Sequence, residues 1–202
     1  MKDLKKFIAT TIKEYLNENV NILDDYIDIN GNKYSTKNSN GDLISNDING
    51  IVNFYKWFND STVVDSFGRP LVVYHETNSD FRKFDTSKIK NTNWGKGFYF
   101  RIWDEPDSGN KKIGYLSIKK PFIIKKGDFL TNVLGKQKYD TSLGDLISQE
   151  RDREIIATEK VKKSYDGVYV VFKNFYVVFN PTKFKSAQND GSFDINDDDI
   201  YS

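Results

Sequence analysis

Cysteine is absent from this chain and histidine occurs once, at position 75. The first absence excludes disulfides, thiolate zinc sites and cysteine nucleophiles; the second excludes histidine-rich metal centres, so no metal is expected. A cysteine-free chain suits a reducing compartment, and the expected location is cytoplasmic. Long apolar runs are also missing. Nothing approaches the roughly 20 consecutive apolar residues that span a bilayer, and Met1 to Lys6 is not followed by a signal-peptide apolar region, so the expectation is a soluble protein without a membrane partner. Nor is there a charge excess: 30 Lys and Arg against 29 Asp and Glu leave a net charge of +1, too little for a global field that recruits nucleic acid. Finally, Gly95-Lys96-Gly97 lacks the third glycine and following helix of a dinucleotide fingerprint, which removes Rossmann and phosphate-loop readings. What the 202 residues do contain, at 38% hydrophobic and 15% aromatic, is enough apolar surface for one core with a small appendage.

The pattern along the chain changes once. Leu4, Phe7, Ile8, Ile12, Tyr15 and Leu16 fall at helical spacing and predict an amphipathic helix. Residues 28 to 47 are rich in Asn, Gly, Ser and Asp, with Asn30-Gly31 and Asn40-Gly41 as turn signals, and read as a hairpin or linker. Ile51, Phe54, Tyr55 and Phe58 predict a short helix over 47–58. From Val63 onward come short β-rich runs at 71–75, 97–102, 113–118, 121–124, 168–172 and 175–179. Residues 142–163 carry weak helical spacing broken by the charged run Glu150 to Glu154, and the acidic tail from Ala187 reads as a surface wrap. The expected class is α+β on antiparallel sheet, with residues 1–46 as an N-terminal segment and 47–202 as the main domain.

Chemistry concentrates at two places. Leu71 to Tyr74 is a hydrophobic run that ends in His75-Glu76-Thr77, and about twenty residues later comes Gly95-Lys96-Gly97-Phe98-Tyr99-Phe100. A lone histidine is open to two readings: a core imidazole bonded to backbone or water, or a ring at a sheet edge beside backbone amides, where it suits a sugar hydroxyl or an amide ligand. Period-two alternation sets Phe98 and Phe100 on one face and Tyr99 on the other, and the flanking glycines allow a flat ligand close to the backbone. Trp103 is open between core packing and a second stacking surface.

These segments resemble the His-Tyr-Glu branch of ADP-ribosyltransferases, the diphtheria-toxin and poly(ADP-ribose) polymerase side, and within it the phage and mobile-element group found in polyvalent proteins. Phe54 to Asp65, Gly68 to Tyr74, Leu116 to Phe122, Tyr165 to Val168, Tyr176 to Pro181, Lys185 to Ala187 and Gly191 to Asp194 are similar to that group's segments in the same order, from about residue 50 onward. The resemblance implies split antiparallel sheets with short flanking helices and NAD as co-substrate. It implies that His75 bonds the nicotinamide-side ribose, that the Glu76 backbone holds the carboxamide, that Thr77 supports the ribose, and that Tyr99 packs on the nicotinamide ring. Gly97, Trp103 and Phe175 complete the implied dinucleotide surroundings.

Two positions depart from the family pattern. Glu76 stands where glycine is usual and brings a carboxylate beside the dinucleotide; Phe175 stands where the catalytic glutamate is usual. Glu76, Glu154 and Asp166 are the carboxylates that could substitute, each also open to reading as a solvated charge. The expected function is mono-ADP-ribosyl transfer from NAD to a host protein or nucleic acid by a phage or mobile-element effector in the host bacterial cytoplasm, or packaged in the virion. The alternatives are an inactive relative that binds NAD or a host protein, and a single-histidine ribonuclease-like toxin, which would need a basic cleft that the scattered Lys and Arg do not supply.

Overall fold

A computed structural model describes residues 20–23, 25–89, 94–103, 110–125, 129–135 and 143–202. The helix expected over residues 4–16 lies outside them. Strands β1 (Val20–Leu23), β2 (Tyr26–Ile29) and β3 (Asn32–Ser35) form an antiparallel meander. The Asn30-Gly31 turn joins β2 to β3, both residues at positive φ (55° and 83°) as a tight hairpin requires. The stretch that follows is not a free linker. Thr36, Asn38 and Ile44 are buried, and Asn38 Nδ2 donates to the Tyr115 hydroxyl at 3.0 Å, stitching the hairpin to the main sheet.

Helix α1 (Ile48–Phe58) forms where the spacing predicts it. Asp47 caps its first turn by accepting from Gly50 N at 2.8 Å, and Asn59 ends it in the left-handed region. The remaining elements are β4 (Val73–Glu76), β5 (Phe98–Arg101), β6 (Lys111–Leu116), β7 (Pro121–Ile124), α2 (Phe129–Leu134), α3 (Leu143–Lys162), β8 (Gly167–Val170), β9 (Phe175–Val178) and β10 (Phe184–Ser186). Short 3₁₀ turns cover Thr86–Lys88, Val171–Lys173 and Pro181–Lys183. The weak helical spacing of 142–163 resolves as one helix over Leu143–Lys162, because its charged run is compatible with helix propensity; among the residues of it whose burial is described, Glu154, Ala157, Thr158 and Val161 make a buried stripe.

Strands β4 to β10 make one sheet in the order β10-β6-β4-β5-β9-β8-β7, antiparallel except for the parallel β7–β8 pair. Pairing runs through all seven strands, but its two halves meet at β4 and β5 through the single pair Tyr74↔Arg101. Alternation sorts the core accordingly. Val73, Phe98, Phe100, Leu116, Tyr176 and Val178 fill one face together with Phe84, Phe184 and Ile200. On the opposite face α1 covers Val72 and Tyr115, and α3 covers Val168, Val170 and Val177. The tail expected to wrap the surface forms no helix or strand, yet Phe193 (3% exposed) and Ile200 (0%) are core residues, so it is built in rather than draped.

Candidate active site

The β4–β5 ladder stops where its side chains interfere. Thr77 N donates to Asn110 O, so the odd-numbered residues of β4 bond toward β6 and the even-numbered ones, Tyr74 and Glu76, present N–H and C=O toward β5. Continued register from Tyr74↔Arg101 would set Glu76 opposite Tyr99. Instead the carbonyl of Tyr99 is bonded to His75 Nδ1 at 2.8 Å. The imidazole has taken the acceptor that the next ladder rung would use, and the strands part there with the Glu76 amide fronting the gap.

A carbonyl only accepts, so Nδ1 carries the proton. Burial pushes the imidazole below its ordinary pKa against smaller opposing effects of the Tyr99 carbonyl and the Glu76 charge. The ring is therefore neutral near pH 7, with a lone pair on Nε2. Phe84 (5.0 Å between ring centres), Phe100 (5.2 Å) and Phe81 (6.1 Å) hold its orientation.

A cavity of about 660 Å³ opens at this divergence. His75, Glu76, Thr77, Gly97, Phe98 and Tyr99 line one side, and the 78–89 segment, including Asp80, Phe81, Lys83, Phe84, Asp85 and Lys88, makes the other. The volume suits a dinucleotide. Gly95 turns at φ 98°, and Gly97 lies so close to β9 that a Cβ there would meet Val178 O at 2.6 Å, so both glycines are required by the backbone. Lys96 N donates to the buried Thr158 hydroxyl at 3.0 Å, which ties this turn to α3.

Two expectations need correction. The rings of His75 and Tyr99 do not flank one cleft. His75 lies on the Phe98/Phe100 face, whereas the Tyr99 phenol lies on the helix-covered face, donating to Gly95 O at 2.6 Å and packing on Phe175 at 5.6 Å. Tyr99 serves the cavity through its main chain. Burial pushes the phenol's pKa far up, helped by the nearby Glu154 charge, so it stays protonated. Trp103 and Phe175 also stand outside the cavity lining; Phe175 packs against Trp94 and Tyr99.

Of the three carboxylates, Asp166 is structural: it accepts from Lys119 N (2.8 Å) and Lys120 N (2.9 Å) and faces Lys183. Glu154 is buried on α3 behind Tyr99 and does not line the cavity. Glu76 is a lining residue, but by alternation its carboxylate lies on the Tyr74 and Tyr99 face, opposite the His75 ring, with Oε1 3.4 Å from Arg101 Nε. Arg101 is the register partner of Phe175, so the Glu76 carboxylate approaches that strand position. The 78–89 wall and Lys112, the register partner of His75, were not singled out in the sequence. Lys112 Nζ is buried and bonds Asp80 and the Tyr201 hydroxyl. The alternation of aromatic and charged residues in Asp80-Phe81-Arg82-Lys83-Phe84-Asp85 is the signal that marked the wall. Among the described residues no group of side chains is arranged to hold a metal ion, and no helix is long and apolar enough to cross a membrane.

An α+β chain with a large mixed sheet and few helices, opened at one junction beside a histidine, is consistent with an ADP-ribosyltransferase-like fold. The model of the family "ADP-Ribosyltransferase in polyvalent proteins" matches residues 65–193, well over half of the chain, and the chain belongs to this family. No curated protein and no solved structure matches it significantly. The family's chemistry is ADP-ribosyl transfer, with NAD as the substrate.

Proposed function

We infer that the protein transfers a single ADP-ribose from NAD to a macromolecular acceptor. The observation that carries this reading is the diverted hydrogen bond: His75 occupies the Tyr99 carbonyl and leaves the Glu76 amide facing a dinucleotide-sized cavity. A carboxamide both accepts and donates, which matches the N–H and C=O of one strand-edge residue. Nicotinamide bonded at Glu76 brings its ribose to His75, whose Nε2 accepts from a ribose hydroxyl, with Thr77 beside it. In the reaction the C1′–N bond breaks with its electron pair leaving on neutral nicotinamide. The acceptor nucleophile adds to C1′ and gives up its proton. The protein contributes orientation and charge complementarity to the oxocarbenium-like state.

With Phe175 in the family's glutamate position, Glu76 takes the role of the carboxylate that stabilises developing positive charge at C1′. Its place at the strand opening and its approach to Arg101 beside Phe175 support this assignment, with the carboxylate reaching the opening from the face opposite the His75 ring. The cellular reading is a phage or mobile-element effector acting in the bacterial cytoplasm or carried in the virion, on a host protein or nucleic acid. The aromatic at position 175 favours one second reading: an inactive relative that binds NAD or a host protein.

Incubation of the full chain with NAD labelled in the adenylate separates the two. Nicotinamide release with label on a macromolecule is the expected outcome; saturable NAD binding without nicotinamide release over hours establishes the binding module instead. Absence of NAD binding removes the transferase and the NAD-binding module and leaves only the form of the second reading that binds a host protein.

A further inference from the structure

The cavity wall opposite His75 hangs from the C-terminal tail, and the tail is folded around one lysine. Lys185 on β10 is fully buried, with Nζ donating to the main-chain carbonyls of Asp197 (3.0 Å) and Asp199 (2.8 Å) and to Ser202 Oγ (3.2 Å). An ammonium taken out of water is costly unless its donors are all used and counter-charge is near. Here three acceptors meet its three protons, and Asp190, Asp194, Asp197 and Asp199 surround it with negative potential. The tail backbone is thereby shaped as a cation ligand.

That shape aims the tail at the cavity wall. Ile200 N donates to Arg82 O (2.8 Å) while its carbonyl accepts from Ser186 N (2.7 Å), so the tail lies between the sheet edge and the wall segment. Asp199 Oδ2 pairs with Arg82 Nε at 2.8 Å, and Asp198 Oδ1 with Lys83 Nζ at 2.5 Å. The next wall residue is Phe84, which packs on the His75 ring. We propose that Lys185 is a positioning residue: by seating the 197–202 segment it fixes the 80–85 wall, and through Phe84 the imidazole, in the geometry that receives the dinucleotide. The dinucleotide part of this proposal rests on the functional reading above; the mechanical part does not.

The single histidine makes the test direct, since the protein has one set of imidazole resonances. Lys185→Met retains length and apolar bulk without the charge. The expected results are shifted His75 resonances, faster amide exchange at Lys83 and Phe84 with β8 amides unchanged, and NAD affinity weakened about tenfold, the scale of losing one charge-assisted tether. Asp199→Asn leaves the Lys185 seat on main-chain carbonyls in place while it weakens the Arg82 link and removes one of the four carboxylate charges around Lys185. It is expected to act in the same direction by a smaller factor, and it serves if Lys185→Met does not fold. Ile124→Val, at the far end of the sheet, controls for stability and is expected to leave the His75 resonances in place. If both tail variants fold with unchanged His75 resonances and unchanged wall exchange, the proposal is overturned, whatever NAD does. If the wild-type protein shows no NAD binding, the functional reading fails, and the resonances and exchange alone decide the positioning role.

Discussion

His75 carries its proton on Nδ1, and that proton decides what the ring can do. Folding lowers its pKa, chiefly by burial, so between the folded value and the ordinary 6.5 the unfolded chain binds more protons than the folded one. Stability from this group is present above pH 6.5 and is lost as the pH falls from there through the depressed folded value. Asp65 and Asp197 titrate lower, Asp197 at about 2, so they do not enter that window. Thermal melts across pH 7 to 5 are expected to show a falling Tm whose slope flattens in His75→Gln; equal slopes in the two proteins contradict the neutral imidazole. Glu76 is tested by its charge. Glu76→Gln should leave NAD binding within a few-fold while turnover falls on the order of 10²- to 10³-fold, the cost of losing an electrostatic stabiliser. Adding Phe175→Glu to that variant should recover part of the loss, because position 175 is the register partner of Arg101. No recovery, with NAD binding intact, argues against interchange of the two carboxylates. At this scale the sequence was readable in part. The strand-end histidine, the glycines and the alternation of Phe98, Tyr99 and Phe100 follow from local pattern. The face on which His75 lies depends on register with β5, a long-range pairing that no local pattern encodes.

Strands were legible where β-branched and aromatic residues cluster between turns, and β7 and β9 fall within the runs expected at 121–124 and 175–179. Helix α3 was legible only as a hint, since its buried stripe contains Glu154 and Thr158 and therefore lacks the apolar periodicity that marks a helix. The tail was misread for a related reason. Its composition is acidic, but its fold is set by a buried lysine on another element, and composition does not register such a partner. The close approach of β5 to β9 gives an element-scale prediction. In Gly97→Ala the new Cβ would meet Val178 O at 2.6 Å and Val177 Cγ1 at 2.7 Å, neither of them the yielding end of a long side chain. Strand separation at the cavity rim should cost roughly 1–3 kcal/mol. Calorimetry should show a Tm lower by about 2–4 °C per kcal/mol for a chain of this size. A Tm equal to wild type contradicts the tight approach.

Taken as a whole molecule, the sheet is two halves joined by one residue pair, with the tail and the 78–89 wall closing the opening between them. A ligand in the gap touches both halves at once: Thr77 and His75 belong to β4 and its continuation, Gly97 and Phe98 to β5 and its lead-in. Binding the folded state alone stabilises it by an amount set by ligand concentration over Kd, roughly 2.7 kcal/mol at a hundredfold excess. At about 2–4 °C per kcal/mol this becomes a Tm increase of roughly 5–10 °C. Nicotinamide reaches only the Glu76 end and ADP-ribose lacks the carboxamide, so each should bind more weakly and raise the Tm less than NAD at equal concentration. The order matters more than the size, because it reports whether one ligand bridges the opening. Melts in which NAD and ADP-ribose stabilise equally, with nicotinamide inert, would place the recognition on the wall side and remove the carboxamide contact at Glu76. Melts in which none of the three has an effect at millimolar concentration leave the cavity without its proposed occupant.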